Sequence, residues 1–439
     1  MGFYKTDKLD GKWWFTDPSG KKFLCKAVCH VGYHADRIMN SDKVPYAENC
    51  LKKHGSEEDW REATVKQLRE LGFNTLGAWS DSALAEIEVQ GGRMAITPIL
   101  NTASGFVAEM NKGSNAWLHG IFPDVFDPRF AKFAVSSMKK ICKPHIDTQN
   151  ILGWFADNEL RWGPDWRGPE ELLTLFLAMP KDSPGRRAAV ELLKTRYPSI
   201  ADFNSVWKTS FSGWSSLGDS GKIDQPYGRD AMYMQNQEVE RKANEADPKR
   251  ASFVADCEAF AGLVAENYFS AVSSAIREAA PNHLNLGARF AYVPQEPVIA
   301  AAARHLDVIS FNCYAPEPLS SLAKYSAHGK PCMITEYSFR SEDSGLPNTK
   351  GAGMWVKNQA ERARTFEKFT AAALENPSFV GYHWFEYADE PKEGRHPDGE
   401  NSNYGIVTIE DKPYAELMDA MRRVNSAAEQ IHLDGARNN

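Results

Sequence analysis

Two glutamates each follow a short apolar stretch of strand type, at residues 154–159 and 333–337. Glu159 and Glu336 therefore stand where buried strands are expected to end. A carboxylate in such a position is costly to desolvate unless it is paired, hydrogen-bonded or used in chemistry. Two carboxylates can act on one bond when one donates a proton and the other attacks as a nucleophile. The pair predicts one active site with two carboxylates.

The segments that must position these glutamates alternate between strand and helix patterns. Apolar, β-rich runs predict eight strands, at residues 23–31, 73–79, 94–100, 151–157, 284–290, 306–313, 331–336 and 379–386. Amphipathic runs predict helices at residues 57–71, 82–89, 128–146, 251–280, 296–305, 319–328, 356–375 and 414–427. Eight strand-then-helix units are what a (β/α)8 TIM barrel requires. We therefore expect an α/β chain that forms a single barrel domain over residues 1–439.

Two additions are expected to decorate this barrel. Residues 12–22 hold an aromatic strand, a turn and the entry to the next strand, which predicts an N-terminal β-hairpin closing the barrel bottom. The chain between strands four and five is far longer than a usual βα loop, so residues 160–250 are expected to form a helical insertion. Within it, residues 186–207 have a helical pattern, and residues 238–250 are highly charged, as in a solvated helix end or an exposed connection.

The order of the strands suggests what the two carboxylates do. Catalytic residues of this kind of barrel gather at the carboxyl ends of the strands. Glu159 lies just past strand four and Glu336 ends strand seven, so the two side chains are expected to face one another across the barrel mouth. An acid and a nucleophile on opposite sides of one bond are what glycoside hydrolysis demands.

Longer motifs carry a resemblance to a known family. Asn158 followed by Glu159 at the end of strand four, with Glu336 ending strand seven, resembles clan A of the retaining glycoside hydrolases. Further matching segments are residues 342–349, 381–387, 389–391, 394–395 and 398–401. Together they resemble the catalytic domain of agarase-type enzymes of glycoside hydrolase family 50. The resemblance covers most of the chain, and the last third is its most specific part.

The resemblance implies roles for the matching residues. Glu159 would be the general acid/base, Glu336 the nucleophile, and Asn158 a ligand of the sugar 2-hydroxyl beside the scissile bond. The implied activity is that of a retaining β-glycoside hydrolase, exo-acting on β-galactoside-containing, agar-type oligosaccharides. No cofactor and no metal is implied.

The two carboxyl groups need different surroundings. Glu159 has to be protonated near neutral pH, and desolvation by Trp154, Phe155 and Trp162 is expected to raise its pKa. Glu336 has to stay charged. Arg289, late in strand five, and Tyr314, just past strand six, are placed to donate to it. The alternatives are a salt-bridged structural arginine and a tyrosine that caps the core.

Sugar contacts are expected from aromatic and polar residues at the strand ends. Trp384 on strand eight is the first choice for a stacking platform and Trp79 at the end of strand two is the second, and either ring can instead belong to the core. His30, ending strand one, is a candidate ligand of a sugar hydroxyl. The remaining candidates line or brace the mouth, or simply hydrogen-bond a loop: Glu386, Glu400, Asn401 and Asn403.

The chain departs from the family pattern in one respect. Family 50 enzymes usually carry a large β-rich domain before the barrel, whereas this sequence reaches its first barrel strand after a short segment. A long polysaccharide groove is therefore not expected. The insertion after Glu159 is rich in tryptophan, and we expect it to cap the mouth and leave a pocket for exo-action. The tryptophans concerned are Trp162, Trp166, Trp207 and Trp214.

Other functions remain as alternatives at this point. Within the hydrolases they are a β-galactosidase resembling family 42, a β-glucosidase, and a transglycosylase that would use the same residues. From a different class, the chain is a non-catalytic carbohydrate-binding barrel, although binding alone needs no proton donor opposite a nucleophile. A metal-dependent hydrolase is disfavoured because no strand end carries a convincing set of His and Asp ligands.

Composition and charge exclude several classes. The 439 residues are 42% hydrophobic and 25% charged, the balance of a globular chain. The net charge is −7 and the 51 lysines and arginines are spread along the chain, so no nucleic-acid partner is expected. No apolar run is long enough for a membrane span, and the N-terminus lacks the apolar core of a signal peptide. We expect a cytoplasmic protein from the sequence as given, or a periplasmic or secreted one if a signal peptide was removed.

The seven cysteines lie mostly within apolar strand or helix patterns and are read as buried thiols. Cys25, Cys29, His30 and His34 have the residue types of a metal site. No second ligand cluster with zinc-like spacing follows them, so a structural metal is not expected.

Overall fold

The computed structural model of the protein describes residues 2–89, 91–110, 115–229 and 237–435. Its strands are β1 (Lys5–Leu9), β2 (Lys12–Thr16), β3 (Lys22–Phe23), β4 (Cys25–Val28), β5 (Thr75–Leu76), β6 (Ala95–Ile96), β7 (Gly153–Phe155), β8 (Leu284–Gly287), β9 (Ile309–Asn312), β10 (Cys332–Glu336), β11 (Arg340–Ser341), β12 (Trp355–Val356) and β13 (Phe379–Trp384). The eight predicted strands are confirmed as β4 to β10 and β13, each shorter than its apolar run.

The central strands pair in parallel. Strands β6, β5, β4, β13, β10 and β9 form a six-stranded sheet in that order, and β7 pairs with β8. Single parallel bridges join the two sheets, from Ile96 to Ile151, from Ile99 to Phe155 and from Phe290 to Phe311. The α/β class with parallel strands is confirmed. Within the described residues the hydrogen-bonded ladders of these eight strands form two sheets linked by bridges, rather than one continuous closed sheet.

Helices separate the central strands. They are α1 (Pro45–His54), α2 (Glu57–Glu70), α3 (Thr102–Met110), α4 (Pro128–Ile141), α5 (Leu172–Leu177), α6 (Pro184–Arg196), α7 (Ile200–Trp207), α8 (Trp214–Gly218), α9 (Gln237–Ala246), α10 (Pro248–Ala279), α11 (Glu296–His305), α12 (Leu319–Ser326), α13 (Gln359–Leu374) and α14 (Ala415–Asp434). Short 3-10 turns lie at Ser82–Glu86, Lys143–His145 and Glu342–Ser344. Among the described residues, no helix combines the length and apolarity needed to cross a membrane.

Most predicted helices are confirmed, and the differences have local causes. The segment at 82–89 forms a single 3-10 turn. The helix expected at 356–375 begins at Gln359. Asn358 caps it, because its side chain accepts a hydrogen bond from the backbone N–H of Glu361. Helices α1 and α3 were not predicted. In α3 the sequence from Thr102 includes Gly105, a residue that weakens a helix signal.

The predicted N-terminal hairpin is confirmed and is part of a three-stranded antiparallel sheet, in the order β1, β2, β3. Phe15 of β2 is fully buried in one apolar cluster with Ala27, Phe155 and Met333, which belong to three central strands. Burial of a phenylalanine contributes about 2 kcal/mol, so the hairpin is held against the strands mainly by apolar packing.

The segment 160–250 contains α5 to α9 and packs on the long helix α10; residues 230–236 of this predicted insertion lie outside the described residues. Asp256 of α10 is buried and accepts bonds from Arg196 at 2.5 Å, Tyr197 at 2.5 Å and Trp207 at 2.9 Å. One carboxylate of α10 therefore fixes the ends of α6 and α7.

Arg362 of α13 joins the loops that follow β10 and β13. Its fully buried guanidinium donates to the carbonyl oxygens of Phe339 at 2.7 Å, Gly405 at 2.9 Å and Asn403 at 3.0 Å. Buried carbonyls require such donors, because an unpaired one costs about 1–3 kcal/mol. The arginine therefore holds together two strand-end loops on the side of the molecule where catalytic residues are expected.

We expect Arg362→Met to lower the free energy of unfolding by about 3 kcal/mol, because it leaves three buried carbonyls without their donor. Urea unfolding monitored by circular dichroism measures this. The control is Arg364→Met on the exposed face of the same helix, for which a change within about 0.5 kcal/mol is expected. Equal effects of the two substitutions would contradict the role of Arg362.

Candidate active site

The carboxyl ends of the central strands surround a cavity of about 1620 Å³. Parallel strands end at the same edge, so residues that follow them meet there. The predicted site residues that line the cavity are His30, Trp79, Asn158, Glu159, Tyr314, Glu336 and Glu400. The predicted residues that do not line it are Arg289, Trp384, Glu386, Asn401 and Asn403.

Glu336 ends β10 and is almost completely buried. Its Oε2 accepts a hydrogen bond from the hydroxyl of Tyr314 at 2.8 Å, and its Oε1 lies 3.0 Å from Nη2 of Arg289. Both donors predicted for this carboxylate are therefore in contact with it. Burial nevertheless raises the pKa of Glu336 to about 7, against the lowering effects of Arg289 and Tyr314. Desolvation thus outweighs the two donors, contrary to the expectation of a carboxylate that is always charged near neutral pH.

Arg289 is fully buried behind the cavity wall. Its Nη2 donates to the carbonyl oxygen of Thr335 at 2.6 Å, and its Nη1 donates to Oδ1 of Asn158 at 3.0 Å. The guanidinium also lies over the ring of Trp79, 4.4 Å from the ring centroid. Because Oδ1 of Asn158 is engaged in this way, its amide nitrogen is the group left to donate toward the cavity.

Glu159 contacts a residue that the sequence did not suggest. Its Oε1 accepts from Nδ2 of Asn312 at 2.8 Å, and Oδ1 of Asn312 accepts from Oγ1 of Thr335 at 2.8 Å. Asn312 is the last residue of β9 and pairs with Glu336 in the parallel register. A short chain of hydrogen bonds therefore runs from Glu159 through Asn312 to Thr335, the residue that precedes Glu336. A polar residue ending an apolar strand was the available signal for Asn312.

Two of the three apolar residues expected beside Glu159, Trp154 and Trp162, pack against other residues. The indole nitrogen of Trp154 bonds Nδ1 of His283 at 3.0 Å, and Trp162 stacks on Phe269 with ring centroids 5.5 Å apart. Both rings belong to the layer between strands and helices. The hydrogen bond that the Glu159 carboxylate accepts comes from the amide of Asn312.

The backbone at the strand ends is strained. Five non-glycine residues there have φ between 46° and 61°: Arg289, Glu159, Asn101, His30 and Trp79. Side chains other than glycine rarely adopt this region, and each such residue costs about 1 kcal/mol or more. Strain of this kind persists where surrounding structure fixes it, commonly at functional sites. Four of these five residues line the cavity, and Arg289 lies behind its wall.

A second polar cluster lies at the other side of the cavity, around His30 and Arg395. Nδ1 of His30 is 2.5 Å from Oε2 of Glu386, which lies behind the histidine and is buried. Desolvation raises the pKa of Glu386 well above its usual range and lowers the pKa of His30, so burial favours an uncharged pair. Glu386 therefore supports His30 from behind the cavity wall and does not face the cavity itself.

Arg395 is the charge centre of this cluster. Its guanidinium lies within 4 Å of five carboxylates, at distances of 2.7 to 3.8 Å, which belong to Glu400, Glu390, Asp398, Glu386 and Asp36. Glu400 is the nearest, at 2.7 Å, and it also lines the cavity. The positive charge of Arg395 offsets part of the free-energy cost of burying these carboxylates.

One group in the described part of the chain has the ligand types of a metal site. Potential ligand atoms of His30, Asp36 and Glu386 all lie within 4.8 Å of one another. Arg395 lies 3.8 Å from Asp36 and 3.5 Å from Glu386, so a divalent cation at this position would meet a fixed positive charge. Arg395 is thus the cation that these two carboxylates already contact.

Trp384 is placed differently from the prediction. Its ring is fully buried against Tyr337 and Phe366, and its indole nitrogen donates to the carbonyl of Tyr404 at 2.9 Å. Side chains alternate along a strand, and His383 takes the interior position, so Trp384 points to the helix layer. Trp384 is therefore a core residue, and the prediction of a sugar platform at this position is wrong.

The asparagines after strand eight brace the loops. Oδ1 of Asn401 accepts from the amides of Thr349 at 2.9 Å and Lys350 at 3.0 Å. Asn403 is buried, and its Nδ2 donates to Asp389 at 2.8 Å. Of the readings offered for these two residues, the structure favours the hydrogen-bonded loop, and it corrects the assignment of Asn401 as a substrate ligand.

Aromatic rings line the cavity at other positions. Trp79 is 37% exposed and Trp166 is 52% exposed, and both line it together with Trp117, Tyr292 and Phe385. Of the four tryptophans expected to cap the mouth, all of them within the described residues, Trp166 reaches the cavity. The other three pack away from it: Trp162, Trp207 and Trp214.

Comparison with known proteins places the chain beside the β-agarases. It is similar to two of them from Vibrio sp. (strain JT0107). β-Agarase B is 28% identical over 97% of this chain and 48% of its own length, and β-agarase A is 32% identical over 89% of this chain and 38% of its own length. An exo-β-agarase structure superposes with a TM-score of 0.78 at 24% identity, covering 98% of this chain and 66% of that one. No family model matches the chain.

The chain therefore spans about half the length of the curated relatives it matches, or less. The predicted resemblance to agarase-type proteins is confirmed, and the α/β fold is shared with the exo-β-agarase structure.

Substitution of two tryptophans separates a cavity ring from a core ring. We expect Trp166→Ala to change the free energy of unfolding by less than about 0.5 kcal/mol, because the ring is 52% exposed on the cavity wall. Trp384→Phe is expected to lower the free energy of unfolding by about 2 kcal/mol, because the smaller ring leaves a gap in the core. Urea unfolding of both variants measures this. Equal effects of the two substitutions would contradict the assignment of Trp384 to the core.

Proposed function

We propose that the protein is a retaining β-glycoside hydrolase that acts on β-galactoside-containing, agar-type oligosaccharides from a chain end. The observation that carries the proposal is that Glu159 and Glu336, from different strands, line one cavity and contact different groups there. Similarity to two β-agarases supports the substrate class. The proposed architecture is a (β/α)8 barrel, supported by the eight parallel strands and by the bridges between their two sheets.

Glu336 is proposed as the nucleophile. Arg289 and Tyr314 contact its two carboxylate oxygens and favour the charged form that must attack the anomeric carbon. Attack gives a covalent glycosyl-enzyme, and water then releases the sugar with its β-configuration retained.

Glu159 is proposed as the acid/base. It protonates the leaving oxygen in the first step and accepts a proton from water in the second. Asn312 donates to its Oε1 and thereby orients the carboxyl group. Asn158 precedes it and presents its amide to the cavity, which suits a contact with the sugar 2-hydroxyl.

The form of the cavity supports action on oligosaccharides. Its volume of about 1620 Å³ exceeds the usual range of sites for small drug-sized ligands, so several sugar units fit. Trp166 of the insertion lines it beside Trp117, with ring centroids 5.6 Å apart. The insertion contributes Trp166 to the cavity wall, and the loop of Arg395 contributes another part of it. The resemblance of the fold to that of an exo-β-agarase agrees with this proposal.

Removal of each carboxyl group tests the roles. With an aryl β-galactoside and agar oligosaccharides, we expect Glu159→Ala and Glu336→Ala to remove nearly all turnover, by about 10³-fold or more. Azide is expected to restore activity in both, giving a β-azide with Glu159→Ala and an α-azide with Glu336→Ala, because azide enters on opposite faces of the sugar.

The control is Glu342→Ala, an exposed glutamate, with activity like that of the unsubstituted protein. Near-normal activity of either active-site variant would refute the assignment. Proton NMR of the first-formed product reports the stereochemistry, and an initial α-anomer from a β-linked substrate would refute retention.

The pKa of Glu336 predicts a pH profile. Because the attacking form is the carboxylate and its pKa is about 7, kcat/KM is expected to fall as the pH is lowered through about 7. Tyr314→Phe removes a donor to the charged form, so the pKa of Glu336 rises and the acid limb shifts upward by about one pH unit.

The matched control for this profile is Tyr337→Phe, one residue along from Glu336, whose hydroxyl bonds Thr370 in the core. Its acid limb is expected to stay in place. An unmoved limb in Tyr314→Phe would show that the tyrosine does not set the ionisation of the essential carboxylate.

A further inference from the structure

Lys324 is a cation on the cavity wall to which none of the described carboxylates is paired. It lies in α12 and lines the cavity together with Ser320 and Ser321. Residues three and four positions apart share one face of a helix, so the two hydroxyls lie one turn from the ammonium group. Among the ion pairs of the described residues, none includes Lys324, whereas Arg289 and Arg395 on the same cavity side of the strands both contact carboxylates.

Partial burial makes the charge of the Lys324 ammonium group unfavourable when no ligand is bound. The side chain is partly buried, and desolvation lowers the pKa of Lys324 with no opposing carboxylate. A buried charge is stabilised by pairing, so an anion brought by a ligand would offset the loss of water around the ammonium group. A neutral sugar hydroxyl would provide a weaker partner.

The contacts of Tyr325, the residue after Lys324, indicate which side of the cavity Lys324 occupies. The hydroxyl of Tyr325 donates to the carbonyl of Tyr292 at 3.2 Å, and both tyrosines line the cavity. The ring of Tyr325 also stacks on Phe311, with centroids 4.3 Å apart, and the next residue, Asn312, donates to Glu159 at 2.8 Å. Lys324 therefore belongs to the side of Glu159, whereas His30 and Arg395 form the other side.

We propose that Lys324, with the hydroxyls of Ser320 and Ser321, binds an anionic substituent of the sugar chain, a sulfate ester or a uronate carboxylate, on the leaving-group side of the scissile bond. This assignment rests on the proposed function, because the leaving-group side is defined by Glu159 as the acid. Ammonium and hydroxyl groups are donors that sulfate and carboxylate oxygens accept. The overall charge of −7 gives the protein no general attraction for an anionic chain, so recognition has to be local.

Matched substrates test the proposal. The probes are a sulfated galactan oligosaccharide, the same preparation after chemical desulfation, and a galactan oligosaccharide that carries a uronate. We expect kcat/KM on at least one anionic probe to exceed that on the desulfated one by about tenfold, mainly through KM, and the ratio to shrink as salt is raised. The sulfated and uronate probes tell which anion is preferred.

Variants assign the effect to the lysine. Lys324→Gln is expected to lower kcat/KM on the preferred anionic probe about tenfold more than on the desulfated one, and Lys324→Arg to retain most of the preference. Lys368→Gln, an exposed lysine of α13, is the control and is expected to change neither. Equal kcat/KM of the unsubstituted protein on all probes, or an equal effect of Lys324→Gln on all of them, would overturn the proposal.

Binding separates this proposal from the proposed function. Calorimetry with the three probes measures affinity whether or not any is cleaved. If none is cleaved, the proposed function fails, and tighter binding of an anionic probe that is lost in Lys324→Gln still supports the anion site. If the desulfated probe is cleaved and binds as tightly as the anionic ones, the anion site fails alone.

Discussion

The ion pair between Arg289 and Glu336 is the interaction on which the cavity is organised. A buried carboxylate without a partner would be protonated or would destabilise the fold, and removing one member of such a pair typically costs about 3–5 kcal/mol. Arg289 also donates to Thr335 and Asn158, so the same guanidinium connects β10 with the segment after β7. Arginine suits this position because its planar group serves several acceptors and stays charged when buried. A lysine would reach one of them.

Charge is distributed unevenly around this centre. Beyond His30, five carboxylates surround Arg395, and burial favours protonated forms of Glu386 and Glu390 among them. On the side of Glu159 the cavity has rings and the ammonium of Lys324. The first wall combines carboxylates with the guanidinium of Arg395, whereas on the second wall the ammonium of Lys324 has no carboxylate partner among the ion pairs of the described residues. A ligand that extends from one wall to the other would meet different chemistry at its two ends.

The sequence predicted the carboxylate pair because an apolar run that stops at a glutamate marks both a strand and its end. Arg289 and Tyr314 were predictable for the same reason, since the contacts of Glu336 come from the ends of adjacent strands. The prediction of a sugar platform at Trp384 was wrong because a strand that is apolar on both faces does not show which of its residues point inward. Side-chain alternation places His383 inside and Trp384 outside, but a bulge or an irregular strand end changes that count.

Other parts of the site depend on geometry that the residue pattern does not encode. The left-handed backbone at His30, Trp79, Glu159 and Arg289 is fixed by tertiary contacts, because these residue types do not themselves favour it. Of the insertion's tryptophans, Trp166 reaches the cavity and Trp207 is held by Asp256, a difference that only the packing of α7 on α10 decides.

Trp79 connects ligand binding with the ionisation of Glu336. One face of its ring lies against the guanidinium of Arg289, and the ring is still 37% exposed to the cavity. A ligand that covers the exposed part would exclude water from the pair behind it. Lower local polarity strengthens the attraction between Arg289 and Glu336, but it also raises the cost of the carboxylate charge. Since the guanidinium remains charged under these conditions and lies 3.0 Å from the carboxylate, the attraction opposes protonation of Glu336 most strongly when the cavity is filled.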